Sequence, residues 1–134
     1  MNTLLYKNEQ ACITLPNSVD DKQNIYLDNA FSEIELLSYV LCSDFLLARN
    51  TNLFELDCFT NKPIPFTGQW YTDGTYKWID SLAYYVINYQ IRLPYDFSNR
   101  IRKTKIALSP GLQKSYEEII SRIKHCDVSK TAIN

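Results

Sequence analysis

The chain reads as one α+β domain, a mainly antiparallel sheet of short strands packed with three or four helices. Three observations predict this. Apolar residues alternate at a period of two in several short runs and recur at three- and four-residue steps in others. An Asp73-Gly74 dipeptide separates two aromatic arms, as in a hairpin. Helix-start residues precede the longer apolar stripes. At 134 residues a single core is feasible without disulfides or metal, so residues 1–134 form one unit with a polar tail at about 127–134.

Taken in order, Leu4–Tyr6 and Ala11–Leu15 are short strands, or one strand and a turn, and Pro16-Asn17 ends the second. Ser18–Asn24 is a polar loop, and Ile25-Tyr26-Leu27 is another short strand candidate. Ser32 and Glu35 have the spacing of a capping box, with Asn29 as a rival cap. Ile34, Leu37, Leu41 and Phe45 then form a stripe, and Asn50-Thr51-Asn52 closes it, so Phe31–Arg49 is expected as one long helix. Leu53–Phe59 alternates, with Phe54, Leu56 and Cys58 facing in and Glu55 and Asp57 facing out. Thr60–Pro65 carries two prolines and is a loop or edge segment.

The hairpin arms are Phe66–Thr72 and Thr75–Ile79. An Asp-Gly type I′ loop sets Thr72 against Thr75, Tyr71 against Tyr76, Trp70 against Lys77 and Gln69 against Trp78. Gln69, Tyr71, Tyr76 and Trp78 then share a face. Each such cross-strand pair contributes about 0.2–1 kcal/mol. The rings either fill the core or form an exposed docking patch, because Trp and Tyr dominate interface hot spots. Asp80 or Ser81 starts a helix over Leu82–Gln90, and Pro94 starts a short one over Tyr95–Arg102. Ile106–Leu108 is a last strand candidate. Ser109-Pro110 begins a helix whose apolar face, Leu112, Tyr116, Ile119, Ile120 and Ile123, runs to about His125.

No apolar run approaches the roughly 18 residues of a membrane span. The start, MNTLLYKNEQ, lacks the basic-then-apolar order of a secretory signal, so a cytoplasmic chain is expected. Cys12, Cys42, Cys58 and Cys126 form no CxxC pair, and with one histidine, His125, they are expected to be buried free thiols rather than a zinc site. The glycine-rich phosphate loops, the H-E-x-x-H motif and the G-x-S-x-G elbow are all missing. His125 and Cys126 are helix neighbours that point apart. Glu117-Glu118 and Asp20-Asp21 suit solvated surfaces better than acid–base work. No catalytic, cofactor-binding or metal site is expected, and the chain is read as a non-enzyme that takes no cofactor.

The stretch WYTDGTYKWIDSLAYYVINYQIRLPYDF fits the pattern W-x-x-D-G-x-Y-x-W-x-x-x-L-A-Y-Y-V-x-x-Y-x-I-x-L-P-x-x-F. It is filled by Trp70, Asp73, Gly74, Tyr76, Trp78, Leu82, Ala83, Tyr84, Tyr85, Val86, Tyr89, Ile91, Leu93, Pro94 and Phe97. It covers about a fifth of the chain and resembles small bacterial immunity proteins of contact-dependent growth inhibition and related polymorphic toxin systems. The resemblance implies a stoichiometric inhibitor that binds a toxin domain, such as a nuclease, without catalysis. The alternative is a small homodimeric binding or regulatory module that uses the aromatic surface.

The net charge of −1 is unevenly spread. Residues 1–61 hold nine acids against three basic residues, and residues 62–134 hold eleven basic residues against six acids. Either folding interleaves the halves and cancels the charge, or a charged face survives. An acidic toxin-binding surface would comprise Asp20, Asp21, Asp28, Glu33, Glu35, Glu55 and Asp57, able to steer onto a basic cleft. The competing basic surface is Arg100, Arg102, Lys103 and Lys105. Those residues also suit the helix C-terminus. A weaker rival, nucleic-acid binding through them, lacks a reader motif, so no direct nucleic-acid contact is expected.

Overall fold

A computed structural model describes residues 2–15, 31–49 and 54–126. The loop expected at Ser18–Asn24, the strand at Ile25–Leu27, the closing Asn50-Thr51-Asn52 and the tail lie outside the described residues. Five strands build the main sheet. They are β1 (Asn2–Lys7), β2 (Gln10–Leu15), β3 (Leu46–Ala48), β6 (Trp70–Thr72) and β7 (Tyr76–Ile79), ordered β2-β1-β7-β6-β3 with every pair antiparallel. A two-stranded ribbon, β4 (Glu55–Leu56) with β5 (Pro63–Ile64), stands apart from it. Four helices complete the α+β domain: α1 (Glu33–Val40), α2 (Leu82–Tyr89), α3 (Tyr95–Lys103) and α4 (Pro110–Lys124).

β1 and β2 form a hairpin through Asn8 and Glu9, both left-handed at φ 48° and 70°. That geometry matches the right-handed strand twist of a two-residue loop. The register slips on either side of Leu5, and Leu4 and Leu5 both become buried.

The capping box at Ser32 forms as expected, with Glu35 N donating to Ser32 Oγ and Ser32 N donating to Glu35 Oε1. The long helix does not. α1 stops at Val40, a 3-10 turn covers Ser43–Phe45, and the chain extends into β3. Trp78 Nε1 donates to the Val40 carbonyl at 2.9 Å, a carbonyl that a continuing helix would use for itself. Phe45 keeps its place in the apolar stripe by packing on Tyr39 and edge-on to Trp78, at 5.0 and 5.9 Å. Tertiary packing here overrides local periodicity.

The second hairpin also differs from its expected register. Tyr71 pairs with Trp78, Trp70 with Ile79 and Thr72 with Lys77, so the loop centres on Gly74-Thr75. Asp73 Oδ1 accepts from the amides of Thr75 and Tyr76, an Asx turn that captures both donors. Gly74, at φ 99°, supplies the left-handed residue. The pairing moves by two residues, so side chains keep their faces. Tyr71, Tyr76 and Trp78 share a face as expected and point inward, and Trp78 is fully buried. Phe97 packs on Trp78 and Tyr76, at 5.1 and 4.8 Å. The aromatic ladder is core.

All of α2 except Ile87 is buried, which suits a helix apolar on every side. It makes no side-chain cap. Asp80 instead accepts from the Gly68 amide, and Ser81 donates to Glu55 Oε2. Pro94 precedes α3 and Ser109 caps α4 through the Leu112 amide, both as expected. Residues 106–108 form no strand. Tyr116 and Ile123 carry α4 into the core, and α1 contacts each of the other three helices. No described helix is long and apolar enough to cross a membrane.

Candidate protein-binding surface

Alternation along β1, β7 and β6 puts Leu5, Trp78 and Tyr71 under the helices and Tyr6, Lys77 and Trp70 on the opposite face. Tyr6 lies opposite Lys77 across the β1–β7 ladder, and Trp70 flanks them from β6. The Tyr6 and Trp70 rings are 6.0 Å apart and tilted by 46°. Lys77 Nζ sits 4.9 Å from the Tyr6 ring centre and 5.4 Å from that of Trp70. A cation over two ring faces contributes roughly 0.5–1 kcal/mol per contact at an exposed site and fixes the rings before any partner arrives. Both rings are half-buried, and the indole N–H of Trp70 has no acceptor among the described residues. On the adjacent β3, Leu47 is 55% exposed. No described helix packs on this face.

At the hairpin tip a polar hub joins three elements. Tyr39 Oη donates to Asp73 Oδ2 at 2.6 Å, and Arg100 Nη1 donates to the same oxygen at 3.2 Å. Arg100 Nε and Tyr76 Oη both donate to Asp96 Oδ2. The guanidinium also lies 5.2 Å from the Tyr76 ring centre. Burial alone would raise the Asp73 carboxyl. Hydrogen bonds from Tyr39 and the amides of Tyr76 and Thr75, with the Arg100 charge, outweigh it and hold the group below the usual carboxylate range. Burial and Asp96 push the Tyr76 phenol up to about 12. The hub locks the turn against α1 and α3.

The expected acidic surface does not assemble. Asp20, Asp21 and Asp28 lie outside the described residues. Asp57 is buried at 1% exposure, where Oδ2 accepts from Tyr84 and Tyr89 and Oδ1 from the amides of Phe59 and Thr60. The strand parity expected for Leu53–Phe59 is therefore inverted. Four donors draw Asp57 inward, and Phe54, Leu56 and Cys58 turn out to solvent. Glu55 is half-buried, and its carboxyl is raised to about 7 by burial and by the Asp80 charge, against the Ser81 hydrogen bond. Its Oε1 is buried without a partner among the described residues, which disfavours the charged form.

Glu33 and Glu35 do reach the surface, but each meets a cation from the other half of the chain. Lys124 Nζ is 2.8 Å from Glu33 and Lys105 Nζ is 3.8 Å from Glu35. Folding interleaves the charged halves at these points. The basic alternative is likewise divided. Arg100 belongs to the hub, Arg102 bonds to Asn99, and Lys103 and Lys105 are exposed.

The four cysteines are free, but Cys12 and Cys58 are exposed and Cys42 and Cys126 half-buried, so full burial is not their role. His125 Nδ1 lies 2.7 Å from the Ser121 carbonyl, and Cys126 Sγ donates to the Arg122 carbonyl. Both engage the backbone at the end of α4. Among the described residues no group of three or more His, Cys, Asp or Glu side chains could hold a metal ion. The sequence sets Trp70 against Lys77 and at the head of the immunity-like pattern but does not single out Tyr6, which follows two ordinary leucines. What would have exposed the pair is the β1–β7 ladder, and its partners stand about seventy positions apart.

Comparison with protein-family models, with curated proteins and with solved structures finds no match.

Proposed function

We propose that this chain is a non-catalytic protein-binding domain of the immunity type, which neutralises a cognate toxin domain by occupying its surface in the cytoplasm. The observation that carries the reading is the ordered Tyr6–Lys77–Trp70 cluster on a sheet face that no described helix covers. Rigid aromatic side chains bury area at little entropy cost, and a Trp or Tyr beside a cation is a common interface anchor. The cation on this face, Lys77, favours a toxin face that presents carboxylates. The resemblance of residues 70–97 to immunity proteins supports the same reading. So do the buried acids Asp57, Asp73 and Asp80, whose hydrogen bonds to neighbouring backbone and side chains leave them structural work.

The test is co-expression. The C-terminal domain of a large secreted protein encoded directly upstream is produced with and without this chain. Growth arrest by that domain, relief by the chain, and a one-to-one complex that Trp70→Ala weakens at least about 30-fold are expected, as for a hot spot of about 2 kcal/mol. Absence of both complex and relief overturns the reading. A concentration-dependent dimer that Trp70→Ala dissociates would instead favour the homodimeric module on the same face.

A further inference from the structure

The β4–β5 ribbon and the end of α4 enclose a groove of about 450 Å³. One wall is Phe54, Pro63, Ile64, Pro65 and Phe66, with Thr67 at its end, and the other is Arg122 and Cys126. The volume lies within the range of small-molecule sites, roughly 300–1,000 Å³. Phe54 is 48% exposed, an apolar cost that a bound molecule would remove.

The polar side chains described along the groove are Arg122, Thr67 and Cys126. Arg122 has no carboxylate partner among the described residues, whereas Lys124, two residues on, is held by Glu33. Thr67 Oγ1 accepts from Gln69 Nε2 and keeps its own proton to donate. Burial and the Asp57 charge raise the Cys126 thiol while Arg122 lowers it, and the net shift is upward, so the thiol stays neutral. Asp57 itself is enclosed by four donors. Among the described residues no acidic side chain lines the groove.

We infer that this groove binds a small organic monoanion, an apolar body ending in a carboxylate, with the ring and proline wall covering the body and Arg122 receiving the charge. A guanidinium binds a carboxylate through paired hydrogen bonds, which a neutral amide cannot match.

The inference is independent of the toxin reading and is tested on the chain alone. Amide proton–nitrogen spectra are followed while 3-phenylpropionate, and separately 3-phenylpropionamide, is titrated in. Saturable shifts confined to residues 54–67 and 122–126 are expected, with the carboxylate bound about tenfold more tightly than the amide, as one charge-assisted contact allows. Arg122→Gln should abolish that difference, and Lys124→Gln should leave it intact. Both positions are exposed, so the variants should keep the wild-type melting temperature. No saturable shift, shifts spread over the chain, equal affinity for the two probes, or a preference that survives Arg122→Gln would overturn the assignment.

Discussion

Tyr89 Oη donates to Asp57 Oδ2 at 2.7 Å, and Tyr84 Oη donates to the same oxygen at 2.5 Å from one turn earlier on α2. With the Phe59 and Thr60 amides on Oδ1, this carboxylate ties the ribbon to the central helix. Asp57→Ala would leave two buried phenols and two amides without their acceptor. The expected cost is about 3–5 kcal/mol, the range for breaking a buried charged network. Chemical denaturation measures it. A loss under about 1 kcal/mol would mean that water replaces the carboxylate.

Charge at Glu55 sets a different pH dependence. Its carboxyl is ordinary in the unfolded chain and raised to about 7 in the fold by burial beside Asp80. The folded state therefore binds the proton more tightly, and stability falls as pH rises from about 4.5 to about 7. Glu55→Gln should stabilise the protein at pH 8 by on the order of 1 kcal/mol, after allowance for solvent screening, and change little at pH 4.5. Melting curves at the two pH values decide it, and an equal shift at both would remove Glu55 as the source.

Asp73 works in the opposite direction. Its carboxyl is held below the usual range, so the stability it gives is present above its unfolded pKa and is lost as pH falls through the folded value. Asp73→Ala should cost about 2–3 kcal/mol at pH 7, because Tyr39 and Arg100 lose their acceptor and the turn amides lose theirs. The difference between variant and wild type should shrink in acid. A difference independent of pH would point to packing rather than charge.

Glu9 holds a left-handed backbone at φ 70°, where a side chain costs energy that glycine does not incur. Glu9→Gly, giving Asn-Gly at the loop, should stabilise the β1–β2 hairpin by about 0.5–1 kcal/mol and raise the melting temperature by a few degrees. A lowered melting temperature would show that Glu9 makes a contact worth more than the strain.

Much of this architecture is legible in the residues because local chemistry specifies it. Ser32 with Glu35, Ser109 with Pro110, and Pro94 mark helix starts through groups that act within one turn. The inward face of Tyr71, Tyr76 and Trp78 follows from alternation and tolerates the error in register. What is not legible depends on distant partners. α1 ends where Trp78 takes the Val40 carbonyl, 38 positions away, and Asp57 turns inward for hydroxyls 27 and 32 positions away. The same limit scatters the acidic set, because Lys105 and Lys124 reach Glu35 and Glu33 only once the helices pack. Tyr6 and Trp70 become neighbours only when β1 joins the second hairpin.

The two tryptophans occupy opposite faces of one sheet. Trp78 is sealed in the core with its N–H bonded to the Val40 carbonyl, and Trp70 stands half-buried on the outer face beside Lys77. The chain thus contains two optical reporters of different events. Emission from Trp78 should be blue-shifted, insensitive to acrylamide, and altered only when the domain unfolds. Emission from Trp70 should be quenchable in the free protein and shielded when a partner covers the sheet. Single-tryptophan variants would follow folding and docking as separate signals, without an added label.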